Sequence, residues 1–230
     1  MRSIAHMAKV VTESHASAVP KKAGRRPGRP SGAHGNDARE QLLDIALGLF
    51  ARQGIVETTL GAIAREAGVT PAMVHYYFKT RDQLVDVLID ERFIPLRAEL
   101  DRAFTESQPE PVDALKAFAQ ALVATVDKHP WFAALWVREV ISEGGLLRQR
   151  IAERFGDAHQ KATIERIERW QREGKLNPDL EPSLVFVSLF GLTVLPLATW
   201  KFRSDGERRL TSEQIARHAV ALLSRGVGPL

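Results

Sequence analysis

Residues 54–84 read GIVETTLGAIAREAGVTPAMVHYYFKTRDQL, and the fold follows from this stretch. Thr59 can cap a short helix from Leu60 to Ala67, whose inward face is Leu60, Ile63, Ala64 and Ala67. Gly68 closes it, because a tight turn there needs positive φ. Thr70 is a good N-cap and Pro71 suits the first helical position, so a second short helix runs from Pro71 to Phe78. Two capped helices joined by AGVT make a helix-turn-helix pattern. The small Ala64 and Ala67 permit close helix approach, while Val69 and Val74 pack the second helix back on its neighbours. Its outer face then holds Pro71, Ala72, Met73, His75, Tyr76 and Tyr77. A capped helix of this size fits a DNA major groove with its N-terminal half toward the base edges.

Outward from this unit the chain reads as helices throughout. Asp37 with Glu40 has the spacing of a capping box, followed by Leu42, Leu43, Ala46, Leu49 and Phe50, with Gly54 past the end. Thr80 with Gln83 has the same spacing and opens a long helix to about Phe104. Further helices are predicted from about Val112 to Lys128, Trp131 to Glu143, Leu146 to Glu173, Pro182 to Trp200, and Thr211 to Ser224. No segment alternates like a strand. The expected fold is all-α with about nine helices: an N-terminal three-helix DNA-binding domain over 36–82 and a helical domain over 83–230.

The segment resembles the DNA-binding domain of the TetR/AcrR family of bacterial transcriptional regulators. The residues that carry the likeness are Ala46, Leu49, Phe50, Gly54, Thr58, Thr59, Leu60, Ile63, Ala64, Ala67, Gly68, Val69, Thr70, Tyr76, Tyr77, Phe78, Arg81 and Leu84. Two positions depart from the common pattern: His75 stands where the family often has Tyr, and Arg81 where Lys is common. The resemblance, with side-chain chemistry, makes Thr59, Tyr77, Lys79 and Arg81 candidates for phosphate contacts that position the domain. Met73, His75 and Tyr76 become candidates for base-edge or thymine-methyl contacts. Thr70, at the start of the recognition helix, belongs to the same candidate surface. Tyr77 and Phe78 also have a reading as core residues.

The family likeness implies dimerisation and small-molecule binding for the second domain. Pro182–Trp200, without a charge, and the last helix are the natural pair for a four-helix dimer bundle. Burial of both helices within one subunit is the alternative. An effector pocket is expected among the helices starting near 112, 131, 146 and 182, lined by Phe118, Leu122, Trp131, Trp136, Phe155, Trp170 and Phe190. Each of these also fits an ordinary core. The apolar lining suggests a hydrophobic effector, with Arg138 or His159 as polar anchors. Effector binding would shift the population toward an arrangement whose two recognition helices no longer match successive grooves of a palindromic operator.

Composition limits the other classes. The 230 residues hold no cysteine, which excludes a disulfide scaffold, a Cys-based zinc finger and a thiol nucleophile, and fits a reducing bacterial cytoplasm with the protein on the nucleoid. No nucleophile elbow, phosphate loop, HExxH or dinucleotide fingerprint is present, and the seven histidines lack metal-ligand spacing. Neither catalysis nor a metal or cofactor is expected. The stretch 182–200 approaches the length of a membrane span, but its Ser, Thr, Gly and Pro residues favour a buried helix, and no membrane partner is expected.

Charge is concentrated at the N-terminus. Residues 1–35 carry seven Lys/Arg and one acid, so +6 of a whole-chain +4 sits there and the remainder carries −2. The arm reads as disordered, and its Arg25-Arg26-Pro27-Gly28-Arg29-Pro30 resembles an AT-hook. Arg25, Arg26 and Arg29 are candidate DNA contacts, with Arg29 placed to enter a narrow A·T minor groove. A solvated tail is the bland alternative, and an architectural, A·T-preferring DNA binder is the alternative for the whole chain. Deleting residues 1–35 is expected to weaken DNA binding and to flatten the dependence of log K on log salt, measured by fluorescence anisotropy; an unchanged slope removes the arm from the interface.

Overall fold

The computed structural model describes residues 32–105, 110–142, 144–156, 158–200 and 210–229. The arm with Arg25, Arg26 and Arg29 lies outside the described residues. Every regular element among the described residues is helical: α1 (Gly32–Gln53), α2 (Leu60–Glu66), α3 (Pro71–Tyr77), α4 (Arg81–Leu88), α5 (Ile94–Thr105), α6 (Pro111–Lys128), α7 (Phe132–Trp136), α8 (Leu146–Phe155), α9 (Ala158–Arg172), α10 (Pro182–Trp200) and α11 (Ser212–Gly226).

Two of the expected long helices are each divided, for identifiable reasons. Between α4 and α5 lies a wide π-helical turn, Ile89–Phe93, in which the Ile94 amide reaches back to the Ile89 carbonyl. Pro95 follows immediately. Its ring would crowd the carbonyl one α-turn earlier and it has no amide to donate, so the extra residue relieves the helix there. The helix expected over 146–173 is cut at Gly156, whose φ of +55° and ψ of −165° no continuous helix can adopt. A second π-turn, Val137–Ile141, follows α7.

The start of α1 also differs from expectation. Asp37 and Glu40 lie inside the helix rather than at its cap. Glu40 instead accepts a hydrogen bond from Arg92 at 2.5 Å, and Arg39 binds Glu91 in a bidentate pair at 2.6 and 2.7 Å. This contact holds the Glu91 carboxyl below its ordinary range and raises Arg39. Ion pairing of α1 to the π-turn after α4 thus takes the place of local capping.

Buried side chains form two clusters. One gathers Leu42, Leu43, Leu47, Phe50, Ile55, Ile63, Val74, Phe78, Leu84 and Leu88 from α1 to α4, and also Leu135 of α7 and Leu147 of α8. The other surrounds α6, which packs on α5, α10 and α11. Helix α10 is long and apolar enough to cross a membrane, yet it packs on α6, α7, α9 and α11, and 33% of the stretch Pro182–Thr199 is buried within the single chain. Burial within one subunit is therefore incomplete: Leu184, Val187 and Leu195 remain exposed.

The π-turn and α8 are joined through Gly145, where an added Cβ would lie 2.0 Å from the Glu139 carbonyl oxygen. Gly145 has φ of −61° and ψ of 123°, which alanine also adopts, so the constraint is space alone. Gly145→Ala is expected to lower stability by about 1–3 kcal/mol, the usual range for forced overpacking, as read from a urea melt. A melt superimposable on the parent's would mean that the close approach is not required.

Candidate nucleic-acid interface

The helix-turn-helix is built by local hydrogen bonds that its sequence specifies. The Thr59 hydroxyl accepts from the Ala62 amide at 3.1 Å and caps α2. At the other end the Gly68 amide bonds the Arg65 carbonyl at 3.2 Å and the Val69 amide bonds the Ala64 carbonyl at 2.9 Å. That pair of bonds is a Schellman closure, and it places Gly68 at φ +67°. A Cβ on Gly68 would meet nothing within 4 Å, so backbone conformation and not space calls for glycine. Thr70 then caps α3 through the Met73 amide at 3.3 Å, with Pro71 at its first turn.

Helix α3 buries only Val74 among its seven residues. His75 and Tyr76 are exposed, Tyr76 by 73%, and Met73 and Tyr77 are half-buried. The Tyr77 ring stands edge-on to Tyr76 at 5.1 Å and near Phe78 at 6.2 Å, so it is anchored toward the core while Tyr76 is free to reach outward. Phe78 is 1% exposed and closes the underside, with the Arg39 guanidinium 5.6 Å from its ring centre. Lys79 is exposed. Its amide is held by the Gln83 side chain at 2.9 Å, while Thr80 accepts from the Gln83 amide at 3.1 Å. The cap expected from Thr80 forms in register, and only the return bond of the Gln83 side chain shifts by one residue, to the Lys79 amide, securing the loop that leaves α3.

Arg81 occupies a different position from the other candidates. It is half-buried, and its Nη1 donates to the Val56 carbonyl at 2.5 Å, tying the start of α4 to the turn before α2. Its buried Nε has no hydrogen-bond partner among the described residues. Thr58 is fully buried, donating to the Gly54 carbonyl at 2.7 Å and accepting from Gln53 at 3.1 Å, so it shapes the same turn.

The second cluster brings together most of the residues expected around an effector. Trp136 stacks on Phe190 at 4.8 Å and 12° and on Phe132 at 5.6 Å and 22°. Phe118 meets Phe190, Phe186 and Phe104, and Trp170 meets Phe104. Trp131 joins through Phe132, and Leu122 is fully buried in the same core. Phe155 is elsewhere: its ring lies 4.6 Å under the Arg97 guanidinium and packs against the N-terminal cluster. Arg138 also points away, to the Arg52 carbonyl at 3.2 Å. His159 faces Asp101 at 3.5 Å, with burial lowering its pKa against the pull of that acid. Three members were missed from sequence: Phe104, Phe132 and Phe186. Phe186 lies one helical turn before Phe190, which was the available signal. Arg166 was also missed. It rests over the rings of Phe104 and Trp170 at 5.2 and 5.9 Å.

A capped, outward-facing α3 held on a helical body defines a helix-turn-helix DNA-binding protein with a second helical domain. Residues 42–88 match the family described as bacterial regulatory proteins, tetR family, and residues 94–195 match the YcdC-like protein C-terminal region. The chain belongs to the TetR family of bacterial regulators and is a helix-turn-helix transcriptional regulator. It is 23% identical over 192 residues to the transcriptional repressor KstR2 of Mycobacterium tuberculosis, covering 84% of this chain and 94% of that protein. The structure of that ketosteroid transcriptional regulator shares the fold with a TM-score of 0.66 at 22% identity, covering 84% of this chain and 95% of the other. FadR of Bacillus subtilis in complex with stearoyl-CoA shares it with a TM-score of 0.61 at 19% identity, covering 81% and 98%. The model matched by residues 42–88 describes regulatory proteins, and no catalytic family is indicated.

The exposure of His75 on α3 and of Lys79 beyond it generates a contrast. His75→Ala is expected to change which base pairs are preferred, by about 1–3 kcal/mol at the affected position, in a comparison of single-base operator variants. Lys79→Ala is expected to weaken all variants alike and to reduce the salt slope by about one. Identical profiles for the two substitutions would contradict the division of roles.

Proposed function

We propose that this protein is a dimeric repressor that holds a palindromic operator and leaves it when the aromatic cluster of the second domain takes up a small hydrophobic effector. The reading rests on how the exposed surface is divided. At one end α3 turns Pro71, Ala72, His75 and Tyr76 outward. On the second domain, α10 exposes Leu184, Val187 and Leu195, and α11, packed beside it, exposes Leu222. Leu184, Ser188, Gly191 and Leu195 recur at helical spacing and are all exposed, which makes a stripe able to meet its own copy across a twofold axis. Gly191 and Ser188 are small enough to let two such helices approach closely.

The effector class follows from the lining. Phe104, Phe118, Trp136, Trp170, Phe186 and Phe190 offer aromatic faces, and Arg166 offers a cation resting on two of those rings. An extended apolar molecule with a polar or anionic end matches this set. The relatives support the choice, since one regulator of the fold is named for ketosteroids and another holds stearoyl-CoA. Met73, His75 and Tyr76 would read bases, with Thr59, Thr70, Tyr77 and Lys79 on the backbone, and Arg81 would act mainly through the Val56 carbonyl. The arm, with Arg25, Arg26 and Arg29, would add minor-groove and phosphate contacts. Such a protein works on the chromosome in a bacterial cytoplasm.

The test is selection of binding sites from a random-duplex library by the full chain at two salt concentrations. The expected product is an inverted repeat with half-sites about one helical turn apart. The Val187→Glu variant is expected to sediment as a monomer and to lose selection of the paired motif. A diffuse A·T preference would replace this reading with an architectural one. A dimeric Val187→Glu protein would move the interface elsewhere.

A further inference from the structure

The turn that leads from α1 into the helix-turn-helix is gripped from outside at two adjacent peptide groups. Arg81 takes the Val56 carbonyl. The Ile55 amide is taken by Glu139, whose Oε1 accepts it at 2.9 Å in a buried contact across 84 residues of sequence. Glu139 belongs to the π-turn Val137–Ile141 of the second domain and is 5% exposed. Burying a carboxylate is costly, and among the described residues its hydrogen-bond partner is this one amide. A glutamate kept there to fill space would be a poor choice, since a leucine would pack without that cost.

The contact has little slack. Gly54, at φ +90°, lies so close that an added Cβ would be 3.4 Å from both the Glu139 Oε1 and the Arg138 Cδ. Arg138 donates to the Arg52 carbonyl at the end of α1. Behind Glu139, Gly145 touches its backbone. Beneath the turn, Phe50, Ile55, Val85, Leu88, Leu135 and Leu147 close around a void of only about 10 Å³, so the packing there is tight.

On its other side the π-turn continues directly from α7. Trp136, three residues before Glu139, stacks on Phe190 of α10. A ring in the aromatic cluster and the carboxylate that holds the DNA-binding domain are therefore carried by adjoining turns of one continuous helical segment. We propose that Glu139 is a positioning residue for DNA binding: it converts the placement of Trp136 against Phe190 into the placement of Ile55, and so of α2 and α3. The inference rests on the DNA-binding reading above and deepens it. It needs no known effector for its test, because coupling is reciprocal: if the second domain positions α3, operator binding at α3 must alter the segment 131–141.

The experiment is hydrogen exchange of residues 131–141, followed by mass spectrometry on the full chain with and without a duplex obtained by the site selection described above. In the parent, exchange of this segment slows when the duplex binds. Glu139→Gln keeps an acceptor oxygen for the Ile55 amide and retains both the slowing and the affinity. Glu139→Ala removes the acceptor, loses the slowing and binds the duplex about tenfold more weakly, within the usual size of a coupling between sites. Glu139→Asp keeps the charge but shortens the reach, and it behaves like the alanine variant; it serves if Glu139→Ala is unfolded. Slowing retained in Glu139→Asp or Glu139→Ala overturns the proposal, as does loss of it in Glu139→Gln. A parent that binds the duplex without any change in 131–141 overturns the joint alone. A parent that selects no duplex overturns the DNA-binding reading as well.

Discussion

The structure depends on how the DNA-binding helices complete their core. Helices α1 to α4 form a small unit, of a size whose apolar core is marginal by itself. Phe50, Ile55, Val85 and Leu88 are closed over by Leu135 and Leu147, which come from the second domain. The contact is apolar and close, with ion pairs along its edge, where Arg150 reaches Asp82 and Asp86 and Arg154 reaches Asp86 and Asp90. These exposed pairs contribute little energy each, but they align α8 along α4 by matching a two-arginine row to a three-aspartate row. The DNA-binding core is thus finished by side chains of the second domain, and the two are joined through this one apolar junction.

The recognition helix illustrates the opposite economy. Its seven residues spend a single buried side chain, Val74, on holding the helix in place. Its ends are fixed instead by Thr70, by the Schellman closure at Gly68 and by the Gln83 side chain that captures the Lys79 amide. Because capping bonds and not packing define α3, most of its surface remains available to a partner. The Tyr76–Tyr77 pair divides the labour within one dipeptide, one ring outward and one leaning on the core.

The second domain combines a ring-lined interior with an unpaired apolar exterior. The interior rings meet mainly edge-to-face, with Trp136 stacked between Phe132 and Phe190. On α10, Thr193 turns its hydroxyl back to the Leu189 carbonyl at 2.6 Å, so its polar group is satisfied inside a helix whose other face is apolar. That explains how an almost uncharged helix serves a core on one side while Leu184, Val187 and Leu195 stay exposed on the other.

By itself the sequence determined the elements whose bonds lie within one turn. Thr59, Gly68, Thr70 and Pro71 delimit α2 and α3 through contacts three to five residues apart, and the apolar spacing in α1 and α2 names their inward faces. The family likeness rests on the same local pattern. What tertiary structure alone decided are the contacts between groups far apart in the chain. The Asp37–Glu40 spacing suggested a cap, but Arg92, 52 residues from Glu40, claims that carboxylate. Phe155 carries the same chemistry as Phe118, yet Gly156 turns the chain at that point and leaves its ring under Arg97. Arg81 and Glu139 look like surface charges in the sequence and become the two clamps on the turn before α2. The physical reason is range: capping and helical periodicity are fixed by backbone geometry over a few residues, whereas the partner of a charged or aromatic side chain is fixed only when whole helices are docked.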